Sequence, residues 1–508
     1  MSQASSDGNA LSPAAHSPAA AQASPKAQAS PAGQGSPVAQ RWVLTLASVA
    51  SFLVILDMLV VATALTAIQR HLGSSLADLE WTVNAYTLSF AVLLMSGAAV
   101  GDRLGRRRVF AAGLALFAIA SAACALAPDV GALIAARAVQ GAGAAAIMPS
   151  ALALLNGAIP ARRRGWALGI YGSVTGLAAA AGPILGGGVT QGLGWRWIFW
   201  INVPVALAAI PLVYRKVREA GGPSGTIDVP GLALVSIAAL GLVWGLVRGN
   251  SAGWASAGVI AALAAGTASA IMFWGWQRRA RSPMLSPRLF RSRAFTGGNA
   301  VIFLLNGSLS AAVFLMPQFQ QVAEGRHPLE AGLRLLPWGV TPLLLAPLTG
   351  RLADRVSARS LTAVGLAVQA AGLGWIAAVT TASIGYPALI TPMILGGLGF
   401  TIAIPAVTRA ATSTTPPADV GRASGAYSTM RQLGGAFGIA IAGAAFAAAG
   451  SYRSPQDFTG GFTSAMTAAA IMAAAGFLAA MALPGTRRQP APLGLDQPAP
   501  AGGARSSH

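Results

Sequence analysis

Two ionisable side chains interrupt long apolar stretches of the sequence, and each could take part in proton chemistry. Asp57 lies within the apolar residues 42–68, and Arg137 lies within the apolar residues 130–155. Burial favours the neutral form of a carboxylic acid, and hydration favours its ionised form, so Asp57 could bind and release a proton. A buried arginine is costly and is a functional candidate by default. The alternatives are an aspartate hydrogen-bonded to the backbone and a packing arginine neutralised by carbonyl groups.

Among the fourteen acidic residues, we expect only Asp57 to lie in the middle of a membrane-spanning stretch. Uncharged polar side chains and one further arginine could offer hydrogen bonds to a ligand in an otherwise apolar cavity. Each of them would also suit packing between helices. These tentative substrate-cavity residues are Asn84, Tyr86, Asn306, Gln318, Gln321 and Arg431.

The elements that position these residues follow from composition. The chain has 508 residues, of which 54% are hydrophobic and 9% are charged, whereas soluble domains have roughly 25% charged residues. Its apolar residues form blocks of about 20, the length that crosses a bilayer core of roughly 30 Å as a helix. We count fourteen such blocks, which predict an all-α membrane protein with fourteen transmembrane helices.

The blocks divide the chain into five segments. Residues 1–40 are rich in Ala, Ser, Pro and Gln, and they lack the pattern of a signal peptide. We predict a disordered cytoplasmic tail at 1–40, six helices in 41–214, a linker with helices seven and eight in 215–293, six helices in 294–484 and a second disordered tail at 485–508.

Basic residues alternate between the predicted loops. Arginines crowd the loops at 103–108, 162–164 and 278–293, with further ones near 215, 351 and 409. The intervening loops hold few, namely Arg70, Arg196, Arg248, Arg326 and Arg453. Positive charge marks the cytoplasmic side of a membrane protein. Both termini are therefore expected in the cytoplasm.

One loop pattern occurs twice. Asp102 and Arg103 follow the second span, Asp354 and Arg355 follow the tenth, and further arginines stand shortly after each pair. The repeat predicts two six-helix halves, a common plan among transporters. Charged groups at such helix junctions can hold one conformation and release another. The gating candidates in these loops are Asp102, Arg103, Gly105, Arg106, Arg107, Asp354, Arg355 and Arg359.

Other classes of protein fit less well. The net charge of +20 is spread between spans instead of forming one basic face, which argues against nucleic-acid binding. Cys124 is the single cysteine and the four histidines are far apart, so we expect no metal and no cofactor. A membrane-embedded enzyme would need clustered catalytic groups, and a sensor would make Asp57 dispensable.

Four motifs resemble one family. The loop from Asp102 to Arg107 keeps most of the pattern Gly-x-Leu-Ala-Asp-Arg-x-Gly-Arg-Lys, and Arg137 begins an Arg-x-x-Gln-Gly-x-Gly run. Gly182 and Pro183 resemble an antiporter motif, and Leu56-Asp57 begins a stretch typical of fourteen-helix members. The chain thus resembles the major facilitator superfamily, and within it the fourteen-helix drug:proton antiporters of the EmrB/QacA type.

The resemblance implies a multidrug-type efflux transporter in the bacterial inner membrane that exchanges amphipathic small molecules for protons. It implies that Arg137 is the partner of Asp57, because the first and fourth spans line the central cavity, and that Gly182 and Pro183 serve gating. We expect a monomer, with a periplasmic adaptor as an option. Because only one carboxylate is expected mid-membrane, neutral, zwitterionic or weakly anionic substrates are favoured over dications. A proton-coupled importer on the same fold is the alternative.

Overall fold

The computed structural model describes residues 37–219, 228–281, 283–285, 287–412 and 420–484. In this part of the chain the regular elements are sixteen α-helices and one short 3-10 turn. The first seven helices are α1 Pro37–Leu72, α2 Leu76–Leu104, α3 Arg106–Leu126, α4 Val130–Ala158, α5 Ala161–Gly192, α6 Trp197–Trp200 and α7 Asn202–Lys216. The others are α8 Val229–Ala252, α9 Ala257–Arg279, α10 Arg293–Val322, α11 Pro328–Leu333, α12 Leu336–Arg355, α13 Ala358–Val379, α14 Tyr386–Thr412, α15 Val420–Ala449 and α16 Pro455–Met481.

Thirteen helical stretches among the described residues are long and apolar enough to cross a membrane, with α6 and α7 counted together. The expected tenth span, residues 331–350, is instead broken: α11 ends at Leu333 and α12 begins at Leu336. Pro337, at the second position of α12, lacks a backbone N–H and suits a helix start. Arg334 therefore lies in the break and not inside a spanning helix.

Two helices that begin earlier than the sequence-based boundaries change the interpretation of the sequence. The first helix begins at Pro37, inside the segment expected as a tail. The second begins at Leu76, because Ser75 and Asp78 form a capping box in which each side chain accepts the backbone N–H of the other. Glu80, placed before the span by its sequence, is thus inside α2. The rest of the predicted tails, 1–36 and 485–508, lies outside the described residues.

The same pairs of helices pack in both halves. In the first half α1 packs with α5, α2 with α4, and α3 with α4 and α7. In the second half α10 packs with α15, α12 with α14, and α13 with α14 and α16. This repetition is what a duplicated six-helix unit requires. The segment boundaries at 214 and 293 remain predictions.

The halves meet along α2 with α15 and along α5 with α11 and α12, while α1 contacts α10. Because the helices alternate in direction, Pro37 and Met481 lie at one end of the bundle, here called the terminal end. The other, here called the opposite end, holds the connections α1–α2, α3–α4 and α10–α11.

The helices α8 and α9 form a hairpin whose α8 contacts α2 and α15. Asp228 caps α8 by accepting the N–H of Gly231 at 2.9 Å, and it also accepts bonds from Trp276 Nε1 and Gln277 Nε2 on α9, both at 2.7 Å. Burial alone would raise the pKa of Asp228, but these hydrogen bonds outweigh it and the pKa lies below its usual value.

Candidate proton-coupling site

Asp57 and Arg137 meet in the interior of the first half. Asp57 lies past the middle of α1 and is 2% exposed, and Arg137, about two turns into α4 from the opposite end, is fully buried. Arg137 NH1 is 2.5 Å from Asp57 Oδ2. The sequence-predicted pair therefore forms a direct, buried ion pair between two helices far apart in the chain.

Two amides hold the other carboxylate oxygen. Gln140 Nε2 and Asn202 Nδ2 each donate to Asp57 Oδ1 at 2.8 Å. Gln140 is on the same face of α4 as Arg137, one turn later, and its Oε1 accepts from Arg137 NH1 at 2.7 Å. Asn202 is the first residue of α7. Hydrogen bonds of this kind stabilise the ionised carboxylate.

A second layer fixes the arginine. Arg137 Nε donates to the carbonyl of Thr82 at 3.1 Å, and the guanidinium carbon lies 4.3 Å from the centre of the Tyr86 ring. The Tyr86 hydroxyl donates to the carbonyl of Val54. Because Tyr86 packs under the guanidinium, it belongs to the ion-pair site and not to a free substrate surface.

The arrangement has a clear chemical consequence. Desolvating two charges is costly, and the pair is favourable only while both partners keep their charge and hydrogen bonds. A proton on Asp57 would leave the Arg137 charge buried and uncompensated. Protonation of Asp57 would therefore destabilise the packing of the helices around Arg137.

The remaining predicted cavity residues do not form one site. Gln321 accepts from Thr66 Oγ1 and donates to the carbonyl of Thr63, so it joins α10 to α1 near the opposite end. Gln318 accepts from the Tyr452 hydroxyl within the second half. These contacts favour the packing role that the sequence analysis left open for both residues, and their place in a substrate cavity stays a prediction. Asn84 is fully buried, and neither of its amide atoms has a partner among the described residues.

Arg431 and Asn306 lie on the second half. Asn306 Nδ2 donates to the carbonyl of Arg431 at 2.8 Å. The Arg431 side chain is half-buried and close enough to Tyr171 of α5 to act on it electrostatically. The Tyr171 hydroxyl in turn lies 2.7 Å from Ser51 Oγ of α1. These groups form a polar patch shared by both halves, and Arg431 has no acidic partner in the part of the chain that is described.

Glycines close the opposite end. A Cβ on Gly187 of α5 would overlap the carbonyl of Pro328, and a Cβ on Gly332 would overlap the carbonyl of Pro183. Gly182 packs on Leu59 of α1. Without side chains these residues let α5 approach both α1 and α11, as small residues do in membrane helix packing.

Space remains beside α5 nearer the terminal end. A Cβ on Gly169, Gly172 or Gly176 would meet no atom within 4 Å, and Trp166 is 60% exposed. On the α2 side the halves stay together, since Gly425 packs on Met95. The bundle is thus sealed between α5 and α11 at the opposite end and freer beside α5 towards the terminal end.

The Asp102 loop is held by a residue that the sequence analysis did not single out. Asp102 pairs within its own loop with Arg106 at 2.8 Å. Glu219, after α7, accepts the Arg107 N–H at 2.9 Å and lies 3.7 Å from the Arg107 and Arg108 side chains. Arg103 is exposed.

Two separate constraints favour glycine at position 105 in this loop. Its φ is 102°, a conformation that favours glycine, and a Cβ there would lie 2.7 Å from the Glu219 carboxyl carbon. In the second loop Arg359 is half-buried. The side chains of Asp354 and Arg355 lie outside the described residues.

The expectation that only Asp57, among the acidic residues, lies within a membrane-spanning stretch is wrong. Glu80 is 2% exposed inside α2, so Asp57 is not the only carboxylate buried within a span. It was missed because the capping box moves the helix start. Glu324 and Glu330, near the start of α11, could in principle bind a cationic substrate. Each forms ion pairs with Arg326 and Arg334 instead. Burial raises the pKa of Glu324, and the two arginines oppose that shift.

A helical membrane bundle of two similar halves around a buried ion pair is the architecture of a secondary transporter. The family model described as Major Facilitator Superfamily matches residues 47–439 and 300–504. The chain belongs to the Major Facilitator Superfamily, and it is a multi-pass membrane transporter.

Similar proteins of known role support this placement. The chain is 34% identical over 403 residues to the tetracenomycin C resistance and export protein of Streptomyces glaucescens, covering 79% of this chain and 74% of that protein. It is 36% identical over 407 residues to the cephamycin export protein CmcT of Amycolatopsis lactamdurans, covering 78% and 83%.

Solved structures share the fold. A POT family transporter in complex with a thioalcohol-conjugated peptide superposes with a TM-score of 0.66 at 15% identity, covering 86% of this chain and 94% of that chain. A bacterial homologue of the human lysosomal transporter Spinster, in an inward-facing and unoccupied conformation, gives 0.63 at 17% identity, covering 88% and 98%.

Proposed function

We propose that this protein is an efflux transporter that exchanges cytoplasmic amphipathic small molecules for protons. The observation that carries the proposal is the buried Asp57–Arg137 pair, held by Gln140 and Asn202 inside one half of the bundle. The names of the similar proteins, which include antibiotic export and multidrug resistance proteins, favour export over import.

In the proposed cycle Asp57 is the proton carrier. With the carboxylate ionised, the ion pair and its two amide donors hold the first half together. Protonation removes the charge that compensates Arg137, and the helices α1 and α4 then rearrange. Because the two conformations expose the site to different sides of the membrane, proton entry from one side is coupled to exit on the other.

We further propose that the terminal end faces the cytoplasm of a bacterial cell. The arginine-rich loops, including Arg106 to Arg108, lie at this end, as the distribution of positive charge requires. In that orientation the described state is inward-facing, with its outer end sealed by Gly187 and Gly332. A monomer without a cofactor suffices for this cycle.

The polar patch around Arg431 is the proposed substrate contact. Its half-buried guanidinium has no acidic partner among the described residues, while Tyr171, Ser51 and Asn306 offer neutral hydrogen-bonding groups. An unpaired cation next to apolar helix surfaces favours a ligand with an anionic or strongly polar group on an apolar body. Neutral and acidic amphiphiles are thus the proposed substrates.

The proton gradient supplies enough free energy. One charge that crosses about 100 mV is worth roughly 2.3 kcal/mol. Since about 1.4 kcal/mol corresponds to a tenfold ratio, one proton could sustain a substrate gradient of roughly 40- to 50-fold.

Transport in inside-out membrane vesicles tests the proposal. Vesicles that contain the protein should accumulate an acidic β-lactam or a neutral polyketide when respiration acidifies their interior, and a protonophore should abolish the accumulation. Arg431→Gln should reduce uptake of the acidic compound more than that of the neutral one. Substrate loss from the vesicles on energisation would instead support an importer.

A further inference from the structure

Glu80 occupies an unusual place between the two halves. It is the fifth residue of α2, near the opposite end, and it is 2% exposed. Its carboxylate points at Gly443 of α15, where an added Cβ would overlap Oε1. Glycine at that position is what admits the Glu80 side chain into the contact between the halves.

Glu80 lacks the partners that other acidic groups have. Every other acidic side chain that the structure describes has an ion pair or a hydrogen bond, whereas Glu80 has neither. Its Oε2 is completely buried. Asn84, one turn further along the same face of α2, also has two unpartnered amide atoms.

A cavity of about 410 Å³ borders Glu80 between α2, α8 and α15. The other titratable groups that line the cavity are Asp78 from α2 and Arg248 from α8, and Tyr452, in the connection after α15, lies near Glu80. Arg248 is exposed, with its guanidinium over the Trp244 ring and out of ion-pair range. Burial, with the Glu80 charge, raises the pKa of Tyr452, so it remains a neutral hydroxyl. In the described part of the chain, therefore, no cation compensates an ionised Glu80.

A carboxylate buried without a partner is strongly unfavourable. The closed contact of α2 and α15 therefore requires the neutral acid. The Glu80 carboxyl group is in direct contact with Gly443, and its Oε2 is completely buried, so the proton is the ligand that neutralises it without separating α2 from α15. We propose that Glu80 is a second proton-binding site, and that the proton it takes up through the adjoining cavity lets the opposite ends of α2 and α15 close.

The inference rests on the proposed exchange of substrate for protons, and it adds a separate step. When α2 and α15 part, water reaches Glu80 and the carboxyl group ionises, which keeps the opposite end open. A proton from the outer solution neutralises it and permits closure. Asp57 differs, because Arg137 and two amides stabilise its ionised form.

Distance measurements test this without any transport assay. Spin labels at Leu193→Cys and Arg453→Cys, exposed positions on the two halves at the opposite end, should report closure in lipid nanodiscs across a pH series. The native Cys124 is buried, and the chain without added cysteines controls for its labelling. All variants carry Asp57→Asn, which removes the other proton site.

With Glu80 intact, the long-distance population should grow as the pH rises. Asp57→Asn removes the charge that balances Arg137 equally at every pH, so its effect on the distances does not vary with pH. Against that background Glu80→Gln should give one distance distribution at every pH, the most closed of the series. Glu80→Asp should keep a shifted pH response, and Asp78→Asn, which alters the same cavity, should behave as the parent. An unchanged pH response in Glu80→Gln would overturn the inference, as would opening and closing that followed added sodium or ammonium ions at fixed pH. Absence of export by the unlabelled wild type would refute the proposed function alone.

Discussion

The two halves use different polar chemistry in similar helix frames. In the first half α1 and α4 are joined by a charged pair, Asp57 with Arg137. In the second half the first helix, α10, is instead joined to α13, the counterpart of α3, by neutral groups, since Gln369 Nε2 donates to Ser308 Oγ at 2.9 Å and to the Leu305 carbonyl at 3.3 Å. The difference places the proton-dependent change in one half, and the other half provides a fixed surface against which it moves.

The energetic contrast explains why duplication need not preserve both sites. A buried ion pair is costly to assemble and sensitive to loss of either charge. A neutral side-chain link contributes only about 0.5–1.5 kcal/mol and does not respond to pH near neutrality. Of these two links inside the halves, only the charged one changes its stability when it takes up a proton.

The first and largest expected effect tests this contrast directly. Asp57→Asn should abolish proton-driven export, because the amide cannot take up a proton and no longer balances Arg137. Loss of the neutral link in the second half, by Gln369→Leu, should lower stability by about 1–3 kcal/mol through the loss of partners for Ser308, while export stays within a few-fold. Proteoliposome transport with an imposed pH gradient checks both. Equal loss in the two variants would remove the distinction between the halves.

The second-largest effect on export is expected for Arg137→Lys. Arginine uses Nε for the Thr82 carbonyl and NH1 for both Asp57 and Gln140, and one ammonium group cannot occupy both positions. We expect at least a tenfold loss of export, which corresponds to about 1.4 kcal/mol. Transport at the wild-type rate by the lysine variant would show that a positive charge alone is sufficient.

The surfaces where the halves meet give a smaller, conformational effect. Gly187→Ala places a methyl group against the Pro328 carbonyl, whereas Gly176→Ala on the same helix meets no atom within 4 Å. Overpacking of this kind costs about 1–3 kcal/mol, so the Gly187 variant should populate the state open at the opposite end. Accessibility of a cysteine at Leu329 to a membrane-impermeant thiol reagent measures the shift. Equal labelling of both variants would contradict closure by α5 and α11.

The sequence predicted part of this picture for identifiable reasons. Apolar blocks give the helices, and the cost of a charge in lipid singles out Asp57 and Arg137. Their partner Asn202 is 145 residues from Asp57, and nothing in the local pattern links the two. The sequence left the roles of Gln318 and Gln321 open, because polarity alone does not distinguish a cavity wall from a helix contact. Contacts between distant helices are set by packing of the whole bundle.

The smallest expected effect concerns Glu219, which contacts the loop after α2, one of the two loops with the repeated Asp-Arg pattern. The loop after α2 is tied to the end of α7 by Glu219, through the Arg107 N–H and the side chains of Arg107 and Arg108.

Glu219→Gln keeps the shape of the side chain and removes its charge, and partly exposed pairs of this kind are worth about 0.2–1 kcal/mol. We therefore expect turnover to change by about two- to fivefold with substrate affinity unchanged, since the loop lies at the terminal end, far from the Arg431 patch. High salt should reduce the difference from the wild type, because salt screens exposed charges. Arg103→Gln, an exposed charge in the same loop without a described partner, is the control and should have no such effect. A change in affinity with unchanged turnover, or a difference that persists at high salt, would show that Glu219 acts through packing and not through its charge.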